Sequence, residues 1–176
     1  ILRRVRSSDD LAAVFGLAPD DVADRLAAAR ARLHAVRQGR PQPMRDDKVL
    51  AAWNGLMIGT LAEASRLFGA ADGPAGRDRA ARYRTAAVRA AECVTGGLLR
   101  EGTQLRRSWK DGRAAGAAVL EDYADLADGL LSLYEATFDE RWYATARDLA
   151  DAILDRFQDP AGGFFDTPDD HERLVA

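Results

Sequence analysis

The feature that most constrains this chain is a pattern that occurs twice: an apolar helical stripe, interrupted near its start by a polar residue, a glycine and a leucine. Asn54-Gly55-Leu56 opens one copy and Asp128-Gly129-Leu130 opens the other, 74 residues later. Each copy runs on into a second apolar helical stretch and closes on Gly-Gly with two apolar residues, Gly96-Gly97-Leu98-Leu99 and Gly162-Gly163-Phe164-Phe165. Spacings of three and four put side chains on one helix face. The repeat unit is therefore a helical hairpin, over about residues 47–100 and 120–166. One hairpin cannot bury both its faces, so hairpins must stack as an open solenoid or a closed ring. The expected fold class is all-α, with short extended segments in the connecting turns.

A glycine inside a helix costs about 1 kcal/mol against alanine. Gly55 and Gly129 occupy the same place in both first helices, and Gly59 lies one turn beyond Gly55, so all three are read as points of close backbone approach.

Along the chain, a brief helix is expected from Ser8 to Gly16, and a second from Pro19 through Val22, Leu26, Ala29, Leu33 and Val36 to Gly39. The third begins near Asp47, passes Leu50, Trp53, Met57, Leu61 and Ala64 to Phe68, and stops in a Gly69–Gly76 linker. The fourth covers about Arg77 to Val94. Residues 98–118 read as a long polar loop. In the last pair, Tyr123, Leu126, Leu130 and Tyr134 mark one inner face and Ala146, Leu149, Ile153 and Phe157 the other. Their short link makes them antiparallel neighbours.

With 176 residues the chain can bury one sizeable core, and one domain is the default. Its 25 basic and 28 acidic residues are interspersed, for a net charge of -3, which argues against nucleic-acid or anionic-membrane partners. No apolar run approaches the roughly 18 residues that span a bilayer or forms a signal-peptide core, so a cytoplasmic location is expected. The chain opens on Ile1 and is read as a piece of something longer. Cys93, the only cysteine, is expected as a small buried hydrophobe on a helix. His34 is read as a partly exposed helix residue without a role. No metal-ligand spacing or phosphate cradle occurs, and no cofactor or metal is expected.

If the first helices run parallel, their N-termini open on one rim. Asp46, Asp47 and Asp122 are the candidate catalytic carboxylates there, and Glu121 sits beside Asp122. Trp53, Asn54 and Tyr123, together with Arg107 and Trp109 from the loop, are the candidate substrate-binding residues. Carboxylates move protons, an aromatic ring stacks on a sugar, and an amide or guanidinium bonds hydroxyls or anions. The competing reading makes the carboxylates helix caps, each worth about 1 kcal/mol.

The stretches RDDKVLAAWNGLMI, RRSWKDGR, LEDYADLADGLLSLYEATFD and GGFFDTPDDHE resemble the helical domain of the spermatogenesis-associated, YyaL-type thioredoxin-domain proteins. The resemblance covers nearly the whole chain. It implies an (α/α)6 toroid similar to N-acylglucosamine 2-epimerases and six-hairpin glycosidases, with this chain as its middle. The thioredoxin-like portion lies outside it. Those epimerases use inner-helix histidines and these positions offer none, so the resemblance implies a carboxylate-based sugar site or plain binding. His171 is the one histidine in a family-like segment. The expected function is to bind or transform a carbohydrate-like molecule at the rim; the alternative is a non-catalytic scaffold. A second copy is expected to cover exposed hairpin edges.

Overall fold

The computed structural model describes residues 5–71 and 73–168 and divides the chain into two compact units, Ile1–Asp46 and Asp47–Ala176.

The first unit holds α1 (Ser8–Phe15) and α2 (Pro19–Gln38). Ser7 Oγ accepts the Asp10 N–H at 3.0 Å while the Asp10 carboxylate accepts the Ser7 N–H at 3.1 Å, a reciprocal cap that fixes where α1 starts. Gly16 at φ +63 ends it. His34 is exposed on α2, 3.1 Å from the Gln38 amide.

The second unit comprises β1 (Val49–Leu50), α3 (Ala51–Ala71), α4 (Gly73–Leu98), β2 (Leu99–Arg100), β3 (Gln104–Lys110), β4 (Arg113–Ala117), α5 (Leu120–Thr137) and α6 (Glu140–Phe157). Its core gathers Ile58, Val94, Leu98, Leu105, Leu126, Leu130, Leu133, Leu149 and Phe157, all essentially inaccessible. Apolar stripes from four helices converge on it, which is the main stabilising term.

The closest helix pair is α3 against α5. Ala52 meets Asp122, Gly55 meets Asp125, Gly59 meets Gly129 and Arg66 meets Glu135. Partner numbers climb together, so the two helices are parallel and start at the same end. A Cβ on Gly129 would lie 2.9 Å from the Gly55 carbonyl carbon, and one on Gly55 would lie 2.6 Å from the Leu126 nitrogen. Two backbones therefore touch where the sequence repeats its glycine. Within each pair the second helix returns antiparallel, as Tyr123 on Phe157 and Tyr134 on Tyr143 demonstrate for α5 and α6.

Several expectations are corrected. The unit is mostly helical, as expected, but not purely all-α, because residues 99–117 carry three antiparallel strands rather than a polar loop. In β3, residues 104 and 105 pair with β2, Ser108 and Trp109 pair with β1, and β4 pairs along its length. Asp111 and Gly112 turn β3 into β4 at φ 50 and φ 79, the left-handed pair that a two-residue hairpin requires.

Helix α3 starts four residues after Asp47, since Val49 and Leu50 are extended as a strand on Trp109 and Ser108. The expected Gly69–Gly76 linker is mostly helical; α4 opens at Gly73, at φ +58, and runs through Gly96 and Gly97. The two Gly-Gly closures thus differ, since Gly162 and Gly163 form a turn at φ +109 and φ +90. Cys93 is exposed rather than buried, because it falls on the outer side of α4 between Ala91 and Val94, which face the core.

Candidate functional site

Helices α3 and α5 begin beneath the small sheet, and the chemistry of the second unit concentrates there. Asp122, in the first turn of α5, is 1% exposed. Its Oδ1 accepts the Ala52 N–H of α3 at 3.2 Å, and its Oδ2 accepts the Val119 N–H at 3.0 Å. Both donors belong to helix starts, where amides lack partners inside the helix. One carboxylate thus clamps two helices. Burial pushes its pKa above 3.8, against the downward pull of the two N–H donors and of Arg107, whose Nη1 lies 3.9 Å from Oδ2.

Tyr123 follows, also buried. Its hydroxyl oxygen accepts the Leu105 N–H at 3.0 Å and an Arg156 N–H at 2.8 Å. One phenol therefore ties strand β3 to the last turn of α6. Arg107 reaches from β3 to Glu121, Nη2 to Oε1, at 2.9 Å. Tyr123, Arg107 and Arg156 border a cleft of about 480 Å³ under the β3–β4 hairpin, lined also by Arg106, Gly116 and Ala117 among others. That volume lies within the usual range for small-molecule sites, about 300–1,000 Å³.

Three of the residues expected at the rim, Arg107, Asp122 and Tyr123, come together here. The others do not. Asp46 closes the first unit and Asp47 opens the second; both are exposed and precede α3, so Asp47 and Asn54 do not share a helix face. Trp53 is 72% exposed on α3. The Asn54 amide turns back to donate to the Leu50 carbonyl at 2.8 Å. Trp109 packs its indole on Gly97, 3.5 Å from where a Cβ would stand, and belongs to the edge of the core. His171 lies outside the described residues.

Arg156 was not foreseeable from local sequence. It reads as one polar residue beside a core stripe, and only the antiparallel packing of Phe157 on Tyr123 brings it to the cleft. Asp125 is a further residue the sequence did not single out; burial and its neighbours Glu121, Asp122 and Asp128 push its pKa up. Among the described residues no three His, Cys, Asp or Glu side chains converge as a metal site would require. No described helix is long and apolar enough to cross a membrane.

No protein-family profile matches the chain. Human spermatogenesis-associated protein 20 is 34% identical over 174 residues, covering 90% of this chain and 20% of that protein. The mouse protein of the same name is 32% identical over 169 residues. This chain is a homologue of part of spermatogenesis-associated protein 20. It spans about a fifth of the length of these relatives. Among solved structures, a sugar epimerase from a ruminal bacterium shares the fold with a TM-score of 0.58 at 15% identity, over 74% of this chain and 34% of that one. The helical architecture is thus common to both.

Proposed function

We propose that the second unit is two hairpins of a larger α/α toroid, and that the cleft beneath β3–β4 binds a carbohydrate-like small molecule. The observation that carries the reading is the cleft itself, where the Tyr123 hydroxyl, Arg107 and Arg156 surround a space of about 480 Å³ between the β3–β4 hairpin, the start of α5 and the end of α6. Hydroxyl, guanidinium and backbone donors in one concavity are what a polyhydroxylated ligand needs.

The likeness to a sugar epimerase supports the same ligand class through the fold. Support for the toroid comes from α3, which carries large apolar residues on its exposed side as well as on its buried one. Ile58 and Ala62 face the core, while Trp53, Leu56, Met57 and Leu67 stand exposed. A helix of that kind belongs in an interior. The same stripe also favours the alternative, a non-catalytic scaffold.

Binding is better supported than proton transfer. Asp122 has each oxygen occupied by a backbone N–H, and Asp46 and Asp47 stand outside α3.

The test is saturation-transfer NMR of the chain with a panel of mono- and disaccharides, beside Ala117→Trp, which fills the cleft from an exposed lining position. At least one saccharide should bind, and the variant should lose it with an unchanged melting temperature. Absence of any binding, or binding that survives Ala117→Trp, overturns the reading.

A further inference from the structure

We propose that the exposed face of α3 is a docking surface for a second copy of this chain, with the two α3 helices meeting antiparallel about a two-fold axis at Thr60. The surface lies apart from the cleft, since none of its residues lines that space, and the inference goes beyond the ligand reading.

The first ground is the stripe. At the helical repeat of 3.6 residues, Trp53, Leu56, Met57, Thr60, Ala64 and Leu67 fall within about 100° of the circumference. Ala51, Ile58 and Ala62, which enter the core, lie on the opposite side. The four large residues of the stripe are each more than half exposed. Helix α3 carries two charged residues, Glu63 and Arg66. Glu63 stands at the margin of the stripe, and Arg66 is drawn away to Glu135 of α5. Thr60 is the one polar member, and its Oγ1 donates to the Leu56 carbonyl at 2.8 Å. Water can therefore leave this face without stranding a charge or a hydroxyl donor.

The second ground is register, which selects the occupant. About an axis at Thr60, each residue before it faces the residue equally far beyond it on the other helix. Trp53 then meets the partner's Leu67, Leu56 meets the partner's Ala64, and Met57 meets the methylenes of the partner's Glu63. Each wide side chain faces a narrower one, as close packing requires. A parallel pairing in register would instead set two tryptophans against each other and leave a gap between two alanines. The antiparallel arrangement also places the helix dipoles head to tail.

The third ground is size. Four large side chains this open leave about 500 Å² of apolar surface, toward the upper end for a monomer. Two copies closing on it bury about 1,000 Å², the lower bound of a specific interface. The pairing is thus sized for a reversible dimer in the micromolar range.

The experiment is sedimentation velocity of the chain from about 1 μM to 1 mM, a span that brackets that affinity. A reversible monomer–dimer equilibrium is expected. Leu56→Glu and Leu67→Glu should each weaken it at least about tenfold, since each buries a charge in the interface. Both residues are exposed in the monomer, so circular dichroism and urea midpoints should stay as in the parent. Leu131→Glu, an exposed leucine on α5, should leave the equilibrium unchanged. Register is read by cross-linking in a Cys93→Ser background, which removes the one native thiol. Thr60→Cys should oxidise to a linked dimer. Ala64→Cys should not, because the antiparallel register holds its two copies about 12 Å apart along the helix axes, too far for a disulfide. A chain that stays monomeric throughout overturns the inference, as does a dimer that survives both glutamate variants. Cross-linking at position 64 as readily as at 60, or assemblies larger than a dimer, overturns the two-fold pairing at Thr60. The saccharide reading is scored separately on Leu56→Glu, which should bind any saccharide that the parent binds.

Discussion

The two helix starts that the sequence makes look alike are built differently. At α5 the carboxylate three residues past the cap residue is sealed in, and it holds the backbone of α3 as well as its own. At α3 the helix grows directly out of β1, and the polar residue of the repeat, Asn54, satisfies a carbonyl of its own chain four residues back. The shared feature is the glycine. Gly129 faces the Gly55 backbone while Gly55 faces the backbone of Asp125 and Leu126, so the repeated glycine records one close approach of α3 and α5 rather than two equivalent sites. A repeat in sequence thus establishes equivalent packing without establishing equivalent chemistry.

The strongest way to break this comparison is at the glycines. Gly129→Ala places a methyl group against the Gly55 backbone, which cannot rotate away. The change should cost about 3 kcal/mol, at the top of the usual overpacking range. Gly96→Ala is the control. Gly96 lies inside α4 with nothing within 4 Å of an added Cβ, so there alanine should gain about 0.5–1 kcal/mol. Urea midpoints measure both. A Gly129→Ala variant as stable as the parent would mean that α3 and α5 do not meet there.

Of similar size is the carboxylate clamp. Asp122→Ala leaves the Ala52 and Val119 amides without their acceptor in a buried setting. It should cost about 3 kcal/mol, since each stranded donor is worth about 1–3. Asn54→Ala removes one half-buried bond to Leu50 and should cost about 1 kcal/mol. Chemical denaturation of the two variants side by side tests the asymmetry. Equal losses would make the two starts equivalent after all.

How much of this was legible in the sequence follows from the range over which each signal acts. The spacing of Leu126, Leu130, Tyr134 and then Ala146, Leu149, Ile153 is a local record of burial, and it located α5 and α6 well. The glycine contact was legible because it is written twice. The sheet was not, because RAAGA and QLRRSWK have no β-branched residue, and strand preference depends on which neighbours a strand meets. The Asp111-Gly112 turn was the one available signal, a two-residue hairpin marker set between basic residues. Missing the sheet also misplaced the start of α3, since Val49 and Leu50 extend only because Trp109 and Ser108 are there to pair with. At the site, Arg107, Asp122 and Tyr123 share a place because α5 begins under β3. Arg156 joins them only through a tertiary contact that no local pattern encodes.

The smallest effect, and the most specific to the clamp, is in the pH dependence of stability. Burial raises the native pKa of Asp122 above 3.8, its ordinary value in the unfolded chain. Between those two values the native state holds the proton that the unfolded state has released. Stability therefore falls as pH rises through the window, with a slope bounded by one proton, about 1.4 kcal/mol per pH unit. Asp125 pushes the same way for the same reason, and Asp10 in the first unit pushes the opposite way, its carboxylate being favoured by the bonds to Ser7. The comparison must therefore be a difference. Asp122→Asn keeps one acceptor oxygen and cannot titrate, so the stability of the parent minus that of the variant should decline as pH is raised upward from 3.8 and level off above the native pKa. Thermal unfolding followed across that range would read it. A difference that climbs with pH would mean that the Ala52 and Val119 amides outweigh burial, and that the clamp holds its carboxylate ionised by choice of partners.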